Sequence, residues 1–180
     1  MTLYRKEGNR EPVCYYDASH KTRVGSGKAQ HGCIVYMAGG PVMWQSKLQR
    51  HVGVSTSHNE YMVLAHAAKQ IVWLRQLLVE MGFDELVGAP TPLMGDNAQA
   101  NMLSREDLVT PGNKFYILDY HYVKERILRE ELVTLKVSGL MNLSDPTTKN
   151  VEIPTMKRIR PAMTGYSVEG LPEVPEGPRR

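Results

Sequence analysis

The longest helical pattern along the chain runs from Thr56 to Gly82 and places an acidic residue on its apolar face. Steps of three and four residues from Glu60 lead to apolar positions and one arginine, as expected for a helix that packs on a core. These positions are Leu64, Ala67, Ala68, Ile71, Arg75 and Leu78. Glu60 therefore lies in the first turn of a core-facing stripe, where a carboxylate needs a structural or a chemical reason.

Two interpretations of Glu60 are open from the local sequence. Ser57 and Glu60 have the S-x-x-E spacing of a capping box, in which each side chain satisfies a backbone N–H at a helix start. Alternatively, Glu60 points into a cleft as a metal ligand. That second interpretation requires other carboxylates to converge on it.

Short apolar and aromatic runs on either side of this helix predict five strands. The runs are Val13 to Asp17, His31 to Ala38, Val42 to Ser46, Leu93 to Asp96 and Leu132 to Val137. The first three follow one another closely, with a hairpin turn at Gly39 to Pro41, so they are expected to form an antiparallel meander. The long helix between the third and fourth strands supplies the crossover that a parallel pairing requires. The pattern predicts an α/β fold with a mixed five-stranded sheet and helices on its faces.

Further helices and the domain limits follow from the same pattern. Helical composition is seen at Asn97 to Arg105, Lys114 to Glu131 and Leu143 to Lys149. With 180 residues and 42% hydrophobic residues, one domain has enough apolar surface for a proper core. We predict a polar leader over residues 1–10, the folded domain over 11–150, and a proline-rich, disordered tail over 151–180.

The composition limits the binding partners and the cellular compartments that are expected for the protein. The net charge of +3 permits a polyanionic partner, and no apolar run reaches the length of a spanning helix, so no membrane association is expected. Cys14 and Cys33 fall in predicted strands and are expected to be reduced core residues in an intracellular compartment, cytoplasm or nucleus rather than outside the cell. The six histidines show no zinc-binding spacing, and Trp44 and Trp73 are assigned to the core with the tyrosines.

Acidic residues recur at the ends of predicted elements. Asp17 and Asp96 end two strands, and Glu60 and Asp145 begin two helices. Ligand sites in open α/β sheets lie beyond the carboxyl ends of strands, so these four carboxylates can meet in one cleft, where a hard cation such as Mg²⁺ or Mn²⁺ would neutralise them. Local alternatives stay open: an Asx turn for Asp17, a helix cap for Asp96, and a cap before Pro146 for Asp145.

Six segments of the chain resemble, in order, consecutive blocks of the RNase H domain in the Pol polyproteins of copia-type LTR retrotransposons, over about residues 13 to 150. They are YYDAS, GGPVMWQSKLQ, STSHNEYMVLAHAAKQIVWLRQLL, GDNAQA, YHYVKERI and NLSDPTTK. The resemblance implies an RNase H-like fold with the five strands in the order 3-2-1-4-5 and helices on both faces.

The resemblance also implies a site. By motif, the catalytic and metal-binding set of the family falls on Asp17, Glu60, Asp96 and Asp145, which would bind two Mg²⁺ ions, with Mn²⁺ as a substitute. Asp17 would bridge the ions, Asp145 would hold the one that activates water, and Glu60 with Asp96 would hold the other. The implied reaction is endonucleolytic hydrolysis of the RNA strand of an RNA–DNA hybrid. Two neighbouring polar residues, Ser19 and Asn97, are assigned to substrate binding.

Two functions from different classes follow. The first is a Mg²⁺-dependent ribonuclease H that works as part of a retrotransposon reverse transcriptase, with the reverse transcriptase domain of the same polyprotein as partner. The alternative is a catalytically weak or inactive domesticated module that serves a larger protein assembly. All four carboxylates favour the enzyme. Departures from the family, such as Gly95 where a cysteine is common and Pro146 after the last aspartate, favour the module.

Overall fold

A computed structural model describes residues 10–19, 28–49, 56–96 and 117–164, which form a five-stranded sheet with helices on both of its faces. The strands are β1 (Val13–Ser19), β2 (Gln30–Met37), β3 (Gly40–Leu48), β4 (Thr91–Gly95) and β5 (Leu132–Lys136). Their order is β3-β2-β1-β4-β5. Strands β1 to β3 pair antiparallel, whereas β1, β4 and β5 run parallel. The predicted mixed sheet and its strand order are confirmed.

The first three of the four described helices follow the predicted order. They are α1 (Thr56–Glu80), α2 (Ile117–Leu128), α3 (Asp145–Thr148) and α4 (Ile153–Thr164), with 3-10 turns at Asp84–Val87 and Gly139–Met141. The helix predicted at 97–105 and the leader at 1–9 lie outside the described residues. Strand β1 continues two residues beyond its predicted end at Asp17, because Ala18 and Ser19 still pair with β2.

Each face of the sheet has its own apolar core. On one face Cys14, Tyr16 and Cys33 pack with the apolar stripe of α1 and with Tyr120 and Val123 of α2. The second core, on the other face, is built from residues of the strands, of the segment after β5 and of α4. Its buried members are Tyr15, Ile34, Tyr36, Met94, Val137, Leu143, Ile159 and Ala162. The alternation of inward and outward side chains along a strand explains why neighbours such as Tyr15 and Tyr16 enter different cores.

The arginine in the apolar stripe of α1 ties the helix to the start of β4. The Arg75 guanidinium donates hydrogen bonds to the Val87 and Ala89 carbonyls at 2.7 and 2.8 Å, and to the Thr91 hydroxyl at 2.9 Å. These bonds satisfy backbone acceptors in the connection between α1 and β4. They fix where β4 begins, and hence where its other end, next to Asp96, is placed.

The C-terminal region differs from the predicted disordered tail. Residues Ile153–Thr164 form helix α4, whose Ile159 and Ala162 are buried in the second core. The prolines and charged residues of this segment had suggested that it has too little apolar surface to fold. A few well-placed apolar residues suffice, because the opposite face of the sheet would otherwise expose Tyr36 and Ile34 to water. Residues 165–180 lie outside the described part of the chain.

The core assignments are confirmed for the cysteines and wrong for the tryptophans. Cys14 and Cys33 are buried free thiols. Trp44 is 70% exposed and Trp73 is 54% exposed. Trp44 belongs to β3, an edge strand, and an edge position leaves a large side chain in solvent. Among the described residues, no helix is both long and apolar enough to cross a membrane.

A tight contact between β1 and β4 sits next to the predicted site. A Cβ atom on Gly95 would lie within 3.0 Å of the Tyr16 ring, closer than real Cβ contacts come. Tyr16 is buried and precedes Asp17, while Gly95 precedes Asp96. The large ring of Tyr16 therefore explains why a glycine stands at position 95.

This contact predicts that Gly95→Ala destabilises the protein by about 1–3 kcal/mol through overpacking. Denaturant unfolding measures the loss. Gly88→Ala is the control, because nothing lies within 4 Å of its Cβ position and its φ of −65° suits alanine; its effect should stay within about 0.5 kcal/mol. In a Tyr16→Leu background the Gly95→Ala cost should shrink. Equal costs in both backgrounds would contradict the explanation.

Candidate metal centre

Three carboxylates meet at one edge of the sheet. One oxygen from each of Asp17, Glu60 and Asp96 lies within 4.8 Å of the others. Asp17 is on β1 and Asp96 directly follows β4, and because these two strands are parallel neighbours their carboxyl ends share an edge. Glu60 reaches the same point from the beginning of α1. Asp17 and Glu60 are buried, while Asp96 is half-buried.

The orientation of Glu60 matches the metal-ligand interpretation. Its carboxylate accepts a hydrogen bond from the Ala18 backbone N–H of β1, so the side chain turns toward the sheet. The proximity to Asp17 and Asp96 expected of a ligand is confirmed. The Ser57 side chain lies outside the described residues, so its part in a capping box stays a prediction.

Burial and the proximity of the carboxylates disfavour the charged forms of Glu60 and Asp96. Burial, followed by the charges of Asp17 and Asp96, raises the pKa of Glu60 to about 8, against an ordinary value of 4.5. Burial and the Asp17 charge likewise raise the pKa of Asp96. Like charges held close together in a low-dielectric site repel, which favours the protonated form of Glu60 and Asp96 unless a cation is present. The cluster is thus short of positive charge.

The fourth predicted residue, Asp145, lies beside this group and is held by a lysine. The Lys149 ammonium is 2.9 Å from Asp145 Oδ1 and 3.9 Å from Asp17 Oδ2. The Thr148 hydroxyl donates a short hydrogen bond to Asp17 Oδ2. Burial raises the pKa of Asp145, with further increases from the charges of Asp17 and Asp96, while Lys149 opposes this change. All four predicted carboxylates therefore belong to one electrostatic unit.

Buried polar bonds hold the segment before Asp145 against β1. The Asn142 side-chain amide donates to the Tyr16 carbonyl at 3.0 Å, and its oxygen accepts from the Ser144 N–H at 3.2 Å and hydroxyl at 2.6 Å. Both side chains are fully buried. A satisfied buried network is specific, because any shift would leave its polar atoms without partners. It places Asp145 close to Asp17.

A glycine lets the short helix α3 approach the sheet. Gly32 is the β2 partner of Asp17, and a Cβ atom there would collide with the side chains of Thr147 and Thr148. The Ser46 hydroxyl of β3 donates to the Thr147 carbonyl at 2.6 Å from the same side. The close packing brings Thr148 and Lys149 to Asp17. A larger residue at position 32 would move them away.

The structure also bears on the predicted substrate-binding residues, the predicted cap at Asp145 and the residue types of the candidate metal site. Ser19 is half-buried at the end of β1, where it pairs with Gln30, and its assignment to substrate stays a prediction. Asn97 lies outside the described residues. Asp145 is the first residue of α3 rather than its cap, since Ser144 holds the cap position. Within the described segments, the group that could hold a metal ion consists of carboxylates.

Sequence reasoning missed the residues that support the carboxylates: Gly32, Asn142, Thr148 and Lys149. Only Lys149 had a signal in the sequence, because an acidic and a basic residue four positions apart on a helical segment commonly pair. The others depend on contacts between distant parts of the chain. Asn142 and Tyr16, for example, are 126 positions apart.

The donor set fits a divalent metal ion. Carboxylate oxygens are the ligands that Mg²⁺ and Mn²⁺ prefer, and the three converging groups supply them from three separate elements. Burial and the charges of Asp17 and Asp96 raise the pKa of Glu60, so its charged form would gain from a neighbouring cation. A doubly charged cation would stabilise that form.

Comparison with known proteins supports a relation to retrotransposon polyproteins. The chain is 30% identical over 146 residues to the Retrovirus-related Pol polyprotein from transposon TNT 1-94 of Nicotiana tabacum, a match that covers 80% of this chain and 11% of the relative. The chain thus spans about a tenth of the length of the curated relative. A scan against models of protein families gives no match.

Solved structures share the fold. The N-terminal RNase H domain of a Mycobacterium tuberculosis protein matches with a TM-score of 0.54 and 15% identity, covering 83% of this chain and 96% of that one. LC11-RNase H1, isolated from compost, matches with a TM-score of 0.55 and 17% identity over 77% of this chain and 93% of that one. At such identities the likeness concerns the fold, and the site must be judged from its own residues.

The electrostatics predict how stability depends on pH without metal. Because the folded pKa of Glu60, about 8, exceeds its ordinary 4.5, its contribution to stability is complete below pH 4.5 and is lost as pH rises toward 8. In the presence of a metal chelator, the melting temperature of the unmodified protein should therefore fall more steeply across this pH range than that of Glu60→Gln. Glu80→Gln, at the exposed end of α1, is the control and should follow the parent. If the melting temperatures of the unmodified protein and of Glu60→Gln change equally with pH, the raised pKa of Glu60 would be contradicted.

Proposed function

We propose, from an RNase H-like fold and a sequence related to the Pol polyproteins of copia-type retrotransposons, that this chain is a metal-dependent ribonuclease H. The reaction is endonucleolytic hydrolysis of the RNA strand of an RNA–DNA hybrid. The observation that carries the proposal is the convergence of Asp17, Glu60 and Asp96 within 4.8 Å at the edge of the sheet. Carboxylates that are close together with too little positive charge destabilise a fold, but they provide ligands for a divalent metal ion.

The placement of the four carboxylates supports the roles proposed for them. Asp17 lies within reach of both Glu60 and Asp96 on one side and shares Lys149 with Asp145 on the other, so it would contact both ions. Glu60 and Asp96 would hold one Mg²⁺, and Asp145 would hold the second, with Mn²⁺ as a substitute. When bound, a pair of such ions activates the attacking water and stabilises the leaving oxygen of a phosphodiester.

The proposed substrate contacts extend along the sheet edge. Selectivity for the RNA strand requires hydrogen bonds to ribose 2′-hydroxyls across the minor groove of the hybrid. Ser19, two residues beyond Asp17 on β1, and Asn97, directly after Asp96, are proposed for these contacts. Each lies within two positions of a proposed metal ligand in the sequence, which favours contacts with the ribose and phosphate atoms next to the cleaved bond.

The proposed biological context is a reverse transcriptase. The matched Pol polyprotein is much longer than this chain, so a reverse transcriptase domain of the same polyprotein is the proposed partner. Such a domain would add hybrid-binding surface to a chain with a net charge of only +3. The proposed location is a reducing intracellular compartment, which the buried free thiols of Cys14 and Cys33 support.

Cleavage of a labelled RNA–DNA hybrid tests the proposal. With Mg²⁺ or Mn²⁺ the parent should cut the RNA strand, and Asp96→Asn should reduce the rate by more than about 100-fold, as loss of a group that stabilises charge in the transition state does. Asp84→Asn, an exposed carboxylate in the first 3-10 turn, should keep the parental rate.

The alternative function, a weak or inactive domesticated module, is the outcome if the folded parent leaves the hybrid intact with either metal. Equal cleavage by parent and Asp96→Asn would mean that the observed activity comes from another source. Either result would overturn the proposed enzyme.

A further inference from the structure

We propose that Lys149 is the resident counter-cation of the carboxylate cluster, and that a divalent metal ion must displace its ammonium group in order to bind. The inference rests on the proposed metal site and adds a residue that sets its affinity. Lys149 would thereby stabilise the metal-free protein and weaken metal binding at the same time.

The position of the ammonium group carries this inference. It lies between two acidic groups, 2.9 Å from Asp145 Oδ1 and 3.9 Å from Asp17 Oδ2. Both aspartate side chains are nearly enclosed, at 5% and 10% exposure. The ammonium therefore lies against oxygens that a metal ion would need. A cation bound to these carboxylates would be close to the lysine charge and would repel it.

The side chain of Lys149 is also free to leave. It is 46% exposed, so its charged end contacts the cluster while much of its stem faces solvent. Its backbone is extended, at φ −145° and ψ 158°, and follows α3 rather than belonging to it. A rotation about its side-chain bonds would return the ammonium to water without disturbing the helix. Displacement therefore has a low structural cost.

The charge balance around the cluster supports a replaceable cation. The acidic groups are Asp17 from β1, Glu60 from α1, Asp96 from the end of β4 and Asp145 from α3. The basic groups that act on them are Lys149 and, at Asp96, Lys136 of β5. Burial opposes the charged form of Lys149, but the hydrogen bond to Asp145 and the charges of Asp17, Asp145 and Asp96 outweigh it and raise its pKa. The lysine charge in turn opposes the rise in the pKa of Glu60 and of Asp96. One lysine neutralises the carboxylates only in part. A divalent ion carries twice the charge, so it would compete more strongly than the ammonium group for the same oxygens.

Lys149→Met tests the inference because it removes the charge and keeps an unbranched side chain. Lys69→Met is the matched control: Lys69 is also half-exposed and pairs with an aspartate, Asp119, at 2.5 Å, but on the α1–α2 surface. Two quantities are measured: the melting temperature in chelator, and the Kd for Mn²⁺ and Mg²⁺ by calorimetric titration.

We expect Lys149→Met to lower the metal-free melting temperature by at least about 2 °C and to tighten metal binding at least about threefold. Lys149→Arg keeps the charge and should stay within about twofold of the parental Kd. Lys69→Met should also keep the parental Kd. If Lys149→Met does not fold, Lys149→Gln takes its place with the same expected tightening.

An unchanged or weaker metal affinity in the neutral variants would overturn the inference, because Lys149 would then be a structural residue or an organiser of the ligands. Cleavage of the RNA–DNA hybrid by the unmodified protein, measured alongside the titration, distinguishes failure of the Lys149 inference from failure of the proposed ribonuclease function.

If the unmodified protein cleaves the hybrid and the Kd of Lys149→Met for metal is unaltered, only the Lys149 inference is rejected. Tighter binding without cleavage by any form rejects the ribonuclease alone, and no metal binding by any form rejects both.

Discussion

Repulsion among buried carboxylates is the constraint around which this structure is arranged. Asp17, Glu60 and Asp96 approach within 4.8 Å, and burial together with the charges of the two aspartates raises the pKa of Glu60 to about 8. A fold selected for stability alone would separate such groups, since removal of one charge would relieve the others. The chain instead supplies the Ala18 N–H and the Lys149 ammonium as partial compensation. That arrangement is understandable if the cluster exists to bind a divalent metal ion.

Close packing gives the cluster its geometry. Gly32 and Gly95 flank the two aspartate-bearing strand ends, and each allows an approach that a Cβ atom would block. Asn142 fixes the chain before Asp145 onto β1, while Arg75 fixes the beginning of β4 from the far side. Site residues from four elements therefore have little freedom to move apart. The unfavourable electrostatics are maintained by packing and hydrogen bonds elsewhere in the domain.

Local patterns predicted the strands and singled out three of the carboxylates as candidates, while their assignment to one site came from the resemblance to RNase H domains. Glu60 was notable as a carboxylate on the apolar stripe of α1, and Asp17 and Asp96 stood at the carboxyl ends of apolar runs. Helix α4 was missed because its order depends on an uncovered sheet face, which no local pattern reveals. The exposed Trp44 was misassigned because its large aromatic side chain was interpreted as a sign of burial, although the predicted strand order already placed its strand at the edge of the sheet. Gly32 and Asn142 were not recognised, since their roles arise only from contacts across the fold.

The central claim is that the carboxylates at the edge of the sheet bind divalent metal ions. Anomalous diffraction from crystals soaked in Mn²⁺ tests it most directly. The account predicts an anomalous peak between Asp17, Glu60 and Asp96, a second beside Asp145, and the Lys149 ammonium withdrawn from both aspartates. Crystals without a peak at these carboxylates, with Lys149 still bound to Asp145, would contradict it.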